Sequence, residues 1–320
     1  MRKANTVNAN QDVPAAKARV IARVTAVFAA ALAHAPEPGL HIVATPIGNL
    51  ADMTLRAIAA LAGADCIYCE DTRHSRTLLA HYGIGTHLNA YHEHNAAEAR
   101  PAILARLVRG ERVALISDAG TPLVSDPGYK LVRAALDAGH AVTCLPGPSA
   151  PLAALAQSGL PTDAFLFAGF LPTRQAARRT RLAELKTAPA TLILFEAPSR
   201  VVDCLGDIAA MLGCREVAVA RELTKLHEEV RRGTAEQLAA SFAETAPRGE
   251  FVILVAPPST AAATEVGDSD ILAALETAGA GRSFKDAVVT TALALGVAKS
   301  RVYDLGIAAK RARGAAGREP

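Results

Sequence analysis

A chain of 320 residues has room for two domains and an appendage, at ~100–200 residues per domain. Hydrophobic residues at 51% and charged ones at 20% exclude a disordered or fibrous chain; with no Trp and 4% aromatics, Ala, Leu, Val and Ile must build the core. A net charge of +3 excludes a chain-wide field that would force nucleic acid as a partner, so charge has to be read locally.

The first 39 residues are rich in Ala and poor in acid. Arg23 interrupts the apolar run "VIARVTAVFAAALA" and Asp12 precedes it, which fits a signal peptide poorly. The run is also shorter than the ~20 residues a membrane helix needs. Residues 1–39 are read as a frayed extension outside the fold, with no membrane attachment. From residue 40 the chain alternates: strand "LHIVAT", helix "TLRAIAAL", strand "ADCIYCE", helix "RHSRTLLAHY", strand "THLNAY", helix "AAEARPAILARLVRG", strand "RVALIS", helix "YKLVRAALDAG" closed by Gly139, strand "HAVTCLP". Short apolar strands between amphipathic helices predict an α/β domain over 40–158 with a mostly parallel sheet.

A second α/β domain is predicted over 159–256. Its elements are strand "DAFLFAGF", basic helix "RQAARRTRLAEL", strand "TLILFE", helix "RVVDCLGDIAAML", strands "REVAVAR" and "EEVRRGT", helix "AEQLAASFAE" and strand "EFVILVA". No helix separates "REVAVAR" from "EEVRRGT", so those two should pair antiparallel in a mixed sheet. A Pro-, Thr-, Ser- and Ala-rich linker follows at 257–269. Residues 270–313 carry three helical patterns, with Ser283 and Ser300 as N-caps, Gly296 ending the middle helix, and a helix-turn-helix-like spacing. A basic tail occupies 314–320.

Five Cys, at 66, 69, 144, 204 and 214, give a reduced, cytoplasmic pattern rather than a disulfide framework. Cys66 and Cys69 would lie on opposite faces of their strand, so no metal site is expected of them.

Ligands of open parallel sheets bind beyond the carboxyl ends of the strands. The five loops there are "TPIGNL", "EDTRHSR", "HEHN", "SDAGTP" and "PGPSA", unusually dense in small and functional residues. The first has one glycine, Gly48, and no G-x-G-x-x-G, so a pyrophosphate cradle is excluded. "SDAGTP" offers an acid, exposed amides and small residues, which suits a polar, zwitterionic or cationic small molecule. Asp118 can accept hydrogen bonds from such a ligand, or it can brace its own loop; both readings stand.

The segments "ATPIGNLADMTLRAIAAL", "CEDTRHSRTLL", "YHEHN", "ALISDAGTPLVSDPG", "LPGPSAPLAALAQSGLP", "AGFLP" and "ARELTKLHEEVRRGT" run in order from about 40 to 234. In them the chain resembles the small-subunit ribosomal RNA methyltransferase I family, a branch of the tetrapyrrole methylase superfamily, over nearly everything after residue 39. The resemblance implies a homodimer of two-domain subunits, with S-adenosylmethionine folded into the interdomain cleft. It also implies methyl transfer to a cytidine ribose 2′-oxygen of 16S rRNA near the decoding centre. Carried over by position, Pro46, Ile47 and Gly48 form the cofactor wall. Asp118, Ala119, Gly120 and Thr121 hold its amino-acid and ribose parts, with Ser149 and Ala150 close by. The family reads about Tyr-Glu-Ser-Pro-His-Arg where this chain has Phe195 to Arg200. Ser199 thus replaces a His and removes an acid/base role there, while Glu196 and Arg200 remain.

A sulfonium methyl is already activated, so alignment is most of the task, and a general base helps the ribose hydroxyl. Candidates are Glu70, Asp71, His92, Glu93, His94, Glu196 and the group Lys225, His227, Glu228 and Glu229. His92 and His94 lack the further ligands a metal would need, so no metal is expected. Arg73 and Arg76 suit phosphate, although a salt-bridged helix start explains "EDTRHSR" equally well. Basic zones around Arg178 and Arg179, with Arg174, Arg181 and Lys186 against Glu184, and around Arg301 suit an RNA backbone, as does Lys225. The rivals are a methyltransferase acting on a small tetrapyrrole precursor and a non-catalytic RNA-binding protein. The basic zones and helical tail speak against the first, and the intact "SDAGTP" and "PGPSA" loops against the second.

Overall fold

A computed structural model describes residues 13–34, 36–244, 246–258, 267–280, 283–295 and 297–316. The chain divides into two compact units, Met1–Pro257 and Pro258–Pro320. The first unit opens with α1 (Val13–Ala33) and then alternates β1 (Gly39–Val43), α2 (Leu55–Gly63), β2 (Cys66–Cys69), α3 (Thr72–His81), β3 (Leu88–Ala90), α4 (Ala96–Val108), β4 (Arg112–Ile116), α5 (Tyr129–Asp137) and β5 (Val142–Leu145). The five strands form one sheet in the order β3-β2-β4-β1-β5, and every pairing is parallel. Side chains alternate between two cores, as a sheet covered on both faces requires. Leu40, Ile42, Val113 and Leu115 meet α4 and α5, whereas Val43, Ala114 and Ile116 meet α2. Cys66 and Cys69 divide between these cores as expected, each buried.

β1 and β4 are neighbours, yet β1 feeds a helix on one face and β4 a helix on the other. Their outgoing loops part at the carboxyl edge, and a crevice opens at this switch point.

The second sheet follows α6 (Ala150–Ser158). It contains β6 (Phe165–Phe170), β7 (Thr191–Glu196), β8 (Glu216–Arg221), β9 (Glu229–Thr234) and β10 (Phe251–Val255), in the order β6-β7-β10-β8-β9. It is mixed, as predicted: β6 and β7 are parallel, the rest antiparallel, including β8 with β9. One face buries α7 (Gln175–Leu185), α8 (Val201–Leu212) and α9 (Ala235–Ala243). The other face packs α6, through Ala154 and Leu155, together with Ile47 from the loop after β1. Thus α6, which the sequence reading leaves on the N-terminal side of a boundary at 158, covers the second sheet.

One further expectation changes. Residues 13–33 of the expected frayed extension are helical, because Ala and Leu favour helix strongly, and Phe28 packs against the first sheet's core. Among the described residues, no helix is long and apolar enough to cross a membrane.

In the second unit, α10 (Asp268–Gly279), α11 (Phe284–Leu295) and α12 (Lys299–Ala316) share a core of Ile271, Leu275, Val288 and Val302. Ser283 caps α11, its hydroxyl accepting from the Asp286 amide at 3.2 Å. Ser300 does not cap α12, which already begins at Lys299. Residues 1–12, most of the expected linker (259–266), Gly296 and the last residues of the tail (317–320) lie outside the described residues.

Candidate cofactor cleft

Hydrogen bonds lace together the loops that follow β1, β4 and β5. Thr45 and Gly120 exchange backbone bonds of 2.9 and 3.0 Å, the Thr45 hydroxyl donates to the Ser117 carbonyl at 3.0 Å, and the Thr121 hydroxyl donates to the Pro148 carbonyl at 3.2 Å. Gly120 has φ +81°, and a Cβ there would press on Ile47 Cγ2 at 3.2 Å. The left-handed backbone favours a glycine here, and Ile47 would crowd any larger residue. Ser149 and Ala150 stand directly beyond Pro148, at the start of α6.

Strain concentrates here. Among the described residues, the non-glycine positions with positive φ are Leu123, Ser125, Glu222 and Thr224. They fall in two loops only, one after β4 and one after β8, and both flank the cleft. Such backbone persists where surrounding contacts over-determine it, commonly at ligand sites. The second loop delivers Lys225 against the first domain. Its Nζ pairs with Glu222 at 2.9 Å and Glu250 at 3.1 Å, and its stem lies where a Cβ on Gly48 would collide with it. Burial works against the Lys225 charge, but the two carboxylates outweigh it and hold the ammonium protonated above its ordinary range.

Pro46, Gly48, His74, Asp118, Ala119 and Lys225 line a cavity of about 270 Å³ between the two sheets. Asp118 contributes in both of the ways the sequence allows: it lines the cavity, and its Oδ1 accepts from the Asp71 amide at 3.1 Å, tying the loop after β4 to the loop after β2. Near it stand Glu70 and Asp126. Burial and then the charge of Asp118 push Glu70 up. Burial, then Glu70, raises Asp126 to about 6, with Asp118 adding further and the Ser117 hydroxyl opposing. Three carboxylates so placed favour a cationic neighbour, such as an ammonium or a sulfonium.

The family model of the Tetrapyrrole (Corrin/Porphyrin) Methylases matches residues 39–239, which is both sheets up to α9. Ribosomal RNA small subunit methyltransferase I of Mesorhizobium japonicum is 58% identical over 238 residues, covering 74% of this chain and 81% of the relative. The chain belongs to the tetrapyrrole methylase family, in its ribosomal RNA small subunit methyltransferase I branch. The protein of the same name from Xylella fastidiosa is 54% identical over 222 residues, covering 68% of this chain and 81% of the relative. The crystal structure of diphthine synthase, at 16% identity and a TM-score of 0.52, covers 68% of this chain and 89% of its own and shares the fold.

Within this methylase, several residues expected at the site are engaged elsewhere. Glu196 is buried at the end of β7, with Oε1 bound to Arg200 at 2.5 Å and to the Ala197 amide at 2.8 Å, so it cannot collect a proton from an exposed ribose. Asp71 caps α3, accepting from the Arg73 amide at 2.8 Å. The Arg73 guanidinium beside it holds the carboxyl far below the usual range, which makes it a weak base. Arg178 is corrected outright. It is buried with Asp207, its Nε donating at 2.7 Å, and Arg179 reaches the same carboxylate at 2.6 Å. Lys225 belongs to the cleft wall rather than to an RNA face. Glu228 is spent on the Thr224 amide and Gln157, and Glu229 on Arg231. Arg301, in the C-terminal unit, pairs with Asp268 at 2.7 Å. Arg76 is exposed and His92 half-buried, and the His92 and His94 rings lie 6.1 Å apart. Sequence reasoning passed over Asp126, because a Ser-Asp-Pro-Gly run reads first as a turn. It passed over the Glu222–Lys225–Glu250 clamp because Glu250 lies 25 residues from Lys225 along the chain.

Proposed function

We propose that this chain transfers a methyl group from S-adenosylmethionine to the 2′-oxygen of a cytidine ribose in 16S rRNA near the decoding centre, acting as a cytoplasmic homodimer. The observation that carries the reading is the cleft at the β1/β4 switch point: strained, glycine-dependent loops, the Asp118 carboxylate and the Lys225 clamp meet between the two sheets. These features support a cationic, nucleoside-bearing cofactor. Pro46, Ile47 and Gly48 form one wall, Asp118 to Thr121 present amides and a carboxylate to the amino-acid and ribose parts, and Ser149 and Ala150 close the end. The bound cofactor supplies a methyl already activated on sulfur. The chain aligns that methyl with the ribose oxygen, excludes water and takes up a proton.

Asp126 is the acceptor we favour. Its carboxylate removes the 2′-hydroxyl proton as the oxygen–carbon bond forms and the carbon–sulfur bond breaks, leaving the neutral thioether. Asp71 is committed to its bonds with Arg73, and Glu196 is buried beneath Arg200, so both lack this freedom. RNA contact then falls to cations that are not sunk in buried pairs, Arg73 and Arg76 on α3 among them.

The test is methyl transfer from labelled cofactor to small ribosomal subunits that lack the modification, followed by mapping of the labelled sugar. Label on a cytidine ribose is the expected result; label on a base, or none, defeats the reading. Sedimentation of the free protein should report a dimer. Gly48→Ala supplies a narrower check. The added methyl group forces the Lys225 stem out of the wall against its two ion pairs, so cofactor affinity measured by calorimetry should fall by about 10-fold and the thermal midpoint should drop, by about 1–3 kcal/mol of stability.

A further inference from the structure

A second cavity, of about 310 Å³, is lined by the Asp126 turn, which lies on the same loop after β4 that supplies Asp118 and Ala119 to the cofactor cleft. It lies between the loop after β3 and the first turns of α4 and α5, and its polar lining is Tyr91, Glu93, Arg100, Asp126, Tyr129 and Lys130. Its size reaches the ~300–1,000 Å³ of small-ligand sites. The Arg100 guanidinium faces the Tyr91 hydroxyl, while its Nε is buried without a partner. Tyr129, the first residue of α5, is 73% exposed. In a chain with no Trp and few aromatics, a ring held in solvent at the mouth of a polar cavity offers a stacking platform.

We propose that this cavity receives the base of the nucleotide being methylated, swung out of its stack, and reads it as cytosine. The proposal rests on the function given above. Tyr129 stacks on the ring, Arg100 donates to N3 and O2, and the Glu93 carboxylate accepts from the exocyclic amine. Lys130 at the rim meets a neighbouring phosphate. Uracil mismatches twice, setting O4 against the carboxylate and N3–H against the guanidinium. Asp126 lines this cavity and also feels the charges of Glu70 and Asp118 beside the cofactor cleft, so a nucleotide anchored here presents its ribose at the proposed base.

The experiment compares small subunits carrying cytidine or uridine at the mapped position, with the wild type and the variants Glu93→Gln, Arg100→Met and Tyr129→Ala. The wild type should prefer cytidine by at least about 10-fold in kcat/KM. Glu93→Gln, whose amide can either accept or donate, should bring that ratio close to 1 with cofactor affinity unchanged by calorimetry. Tyr129→Ala should raise KM for the subunit by about 10-fold, leaving cofactor affinity intact. If Glu93→Gln and Arg100→Met both keep the wild-type ratio on an actively methylated subunit, the pocket assignment falls and the function stands. If the wild type moves no methyl to either subunit, both fall together.

Discussion

Asp207→Ala should destabilise the first unit by about 3–5 kcal/mol, seen as a lower denaturant midpoint with its slope unchanged. The side chains of Asp207 and Arg178 are only 1% and 4% exposed, and their closest approach is 2.6 Å. Gln175 adds a weaker bond to the same carboxylate at 3.3 Å. Removing the carboxylate strands a buried guanidinium between α7 and α8 and leaves it the weaker Thr173 carbonyl at 3.3 Å. Arg179→Ala is the control, since that side chain is 47% exposed and its loss should cost about 0–1 kcal/mol. The pH dependence follows. Burial opposes the Asp207 charge, but Arg179 and Arg178 outweigh it and hold the carboxyl below its ordinary range. A group depressed in the folded state contributes stability that is present above its unfolded pKa and lost as pH falls through the folded value. Acidification below about pH 4 should therefore narrow the gap between wild type and Asp207→Ala. An equal midpoint at neutral pH would show that Arg178 finds another partner.

The same pair marks where reading along the chain reaches its limit. "RQAARRTRLAEL" has one acid among its cations, and a basic helix of that kind reads as a phosphate-binding face. What neutralises Arg178 is an acid 29 positions later on a different helix, and no local pattern announces it. Strand content was legible for the opposite reason. Period-two alternation is local, so the two faces of β1 and β4, and the division of Cys66 from Cys69, follow from adjacent residues. Pairing of β8 with β9 was legible because nothing but a short loop separates them. The run "APLAALAQS" shows the limit again: it is helical, but only the tertiary arrangement reveals that it covers the second sheet with Ile47 from the first domain. In the cleft, the glycine and the "SDAGTP" loop advertised themselves by composition. Asp126 did not, since its significance comes from burial and from Glu70 and Asp118, which reach it from other parts of the chain.

Asp126→Asn should lower kcat by about 10²–10⁴-fold with little change in cofactor affinity, the range expected when a positioned general base is removed. The wild-type profile should carry its signature. In the free enzyme the group titrates near 6 and is basic only when ionised, so kcat/KM should climb through about pH 6 and then level off. A bound sulfonium beside the same carboxylates favours their charged forms, so the corresponding limb in kcat should move to lower pH. Glu70→Gln separates Asp126 from its neighbour. Loss of the Glu70 charge removes one of the influences that raise Asp126, so the kcat/KM limb should shift downward while most of the turnover survives. Folding stability should respond in the opposite sense to the Asp207 case. A carboxyl raised in the folded state contributes stability that is present below its unfolded pKa and lost as pH rises through about 6, so Asp126→Asn should stabilise the protein at neutral pH while disabling it. A variant that keeps its rate, or a limb that stays in place when Asp126 is gone, would assign the proton to another group, with His92 the next to replace.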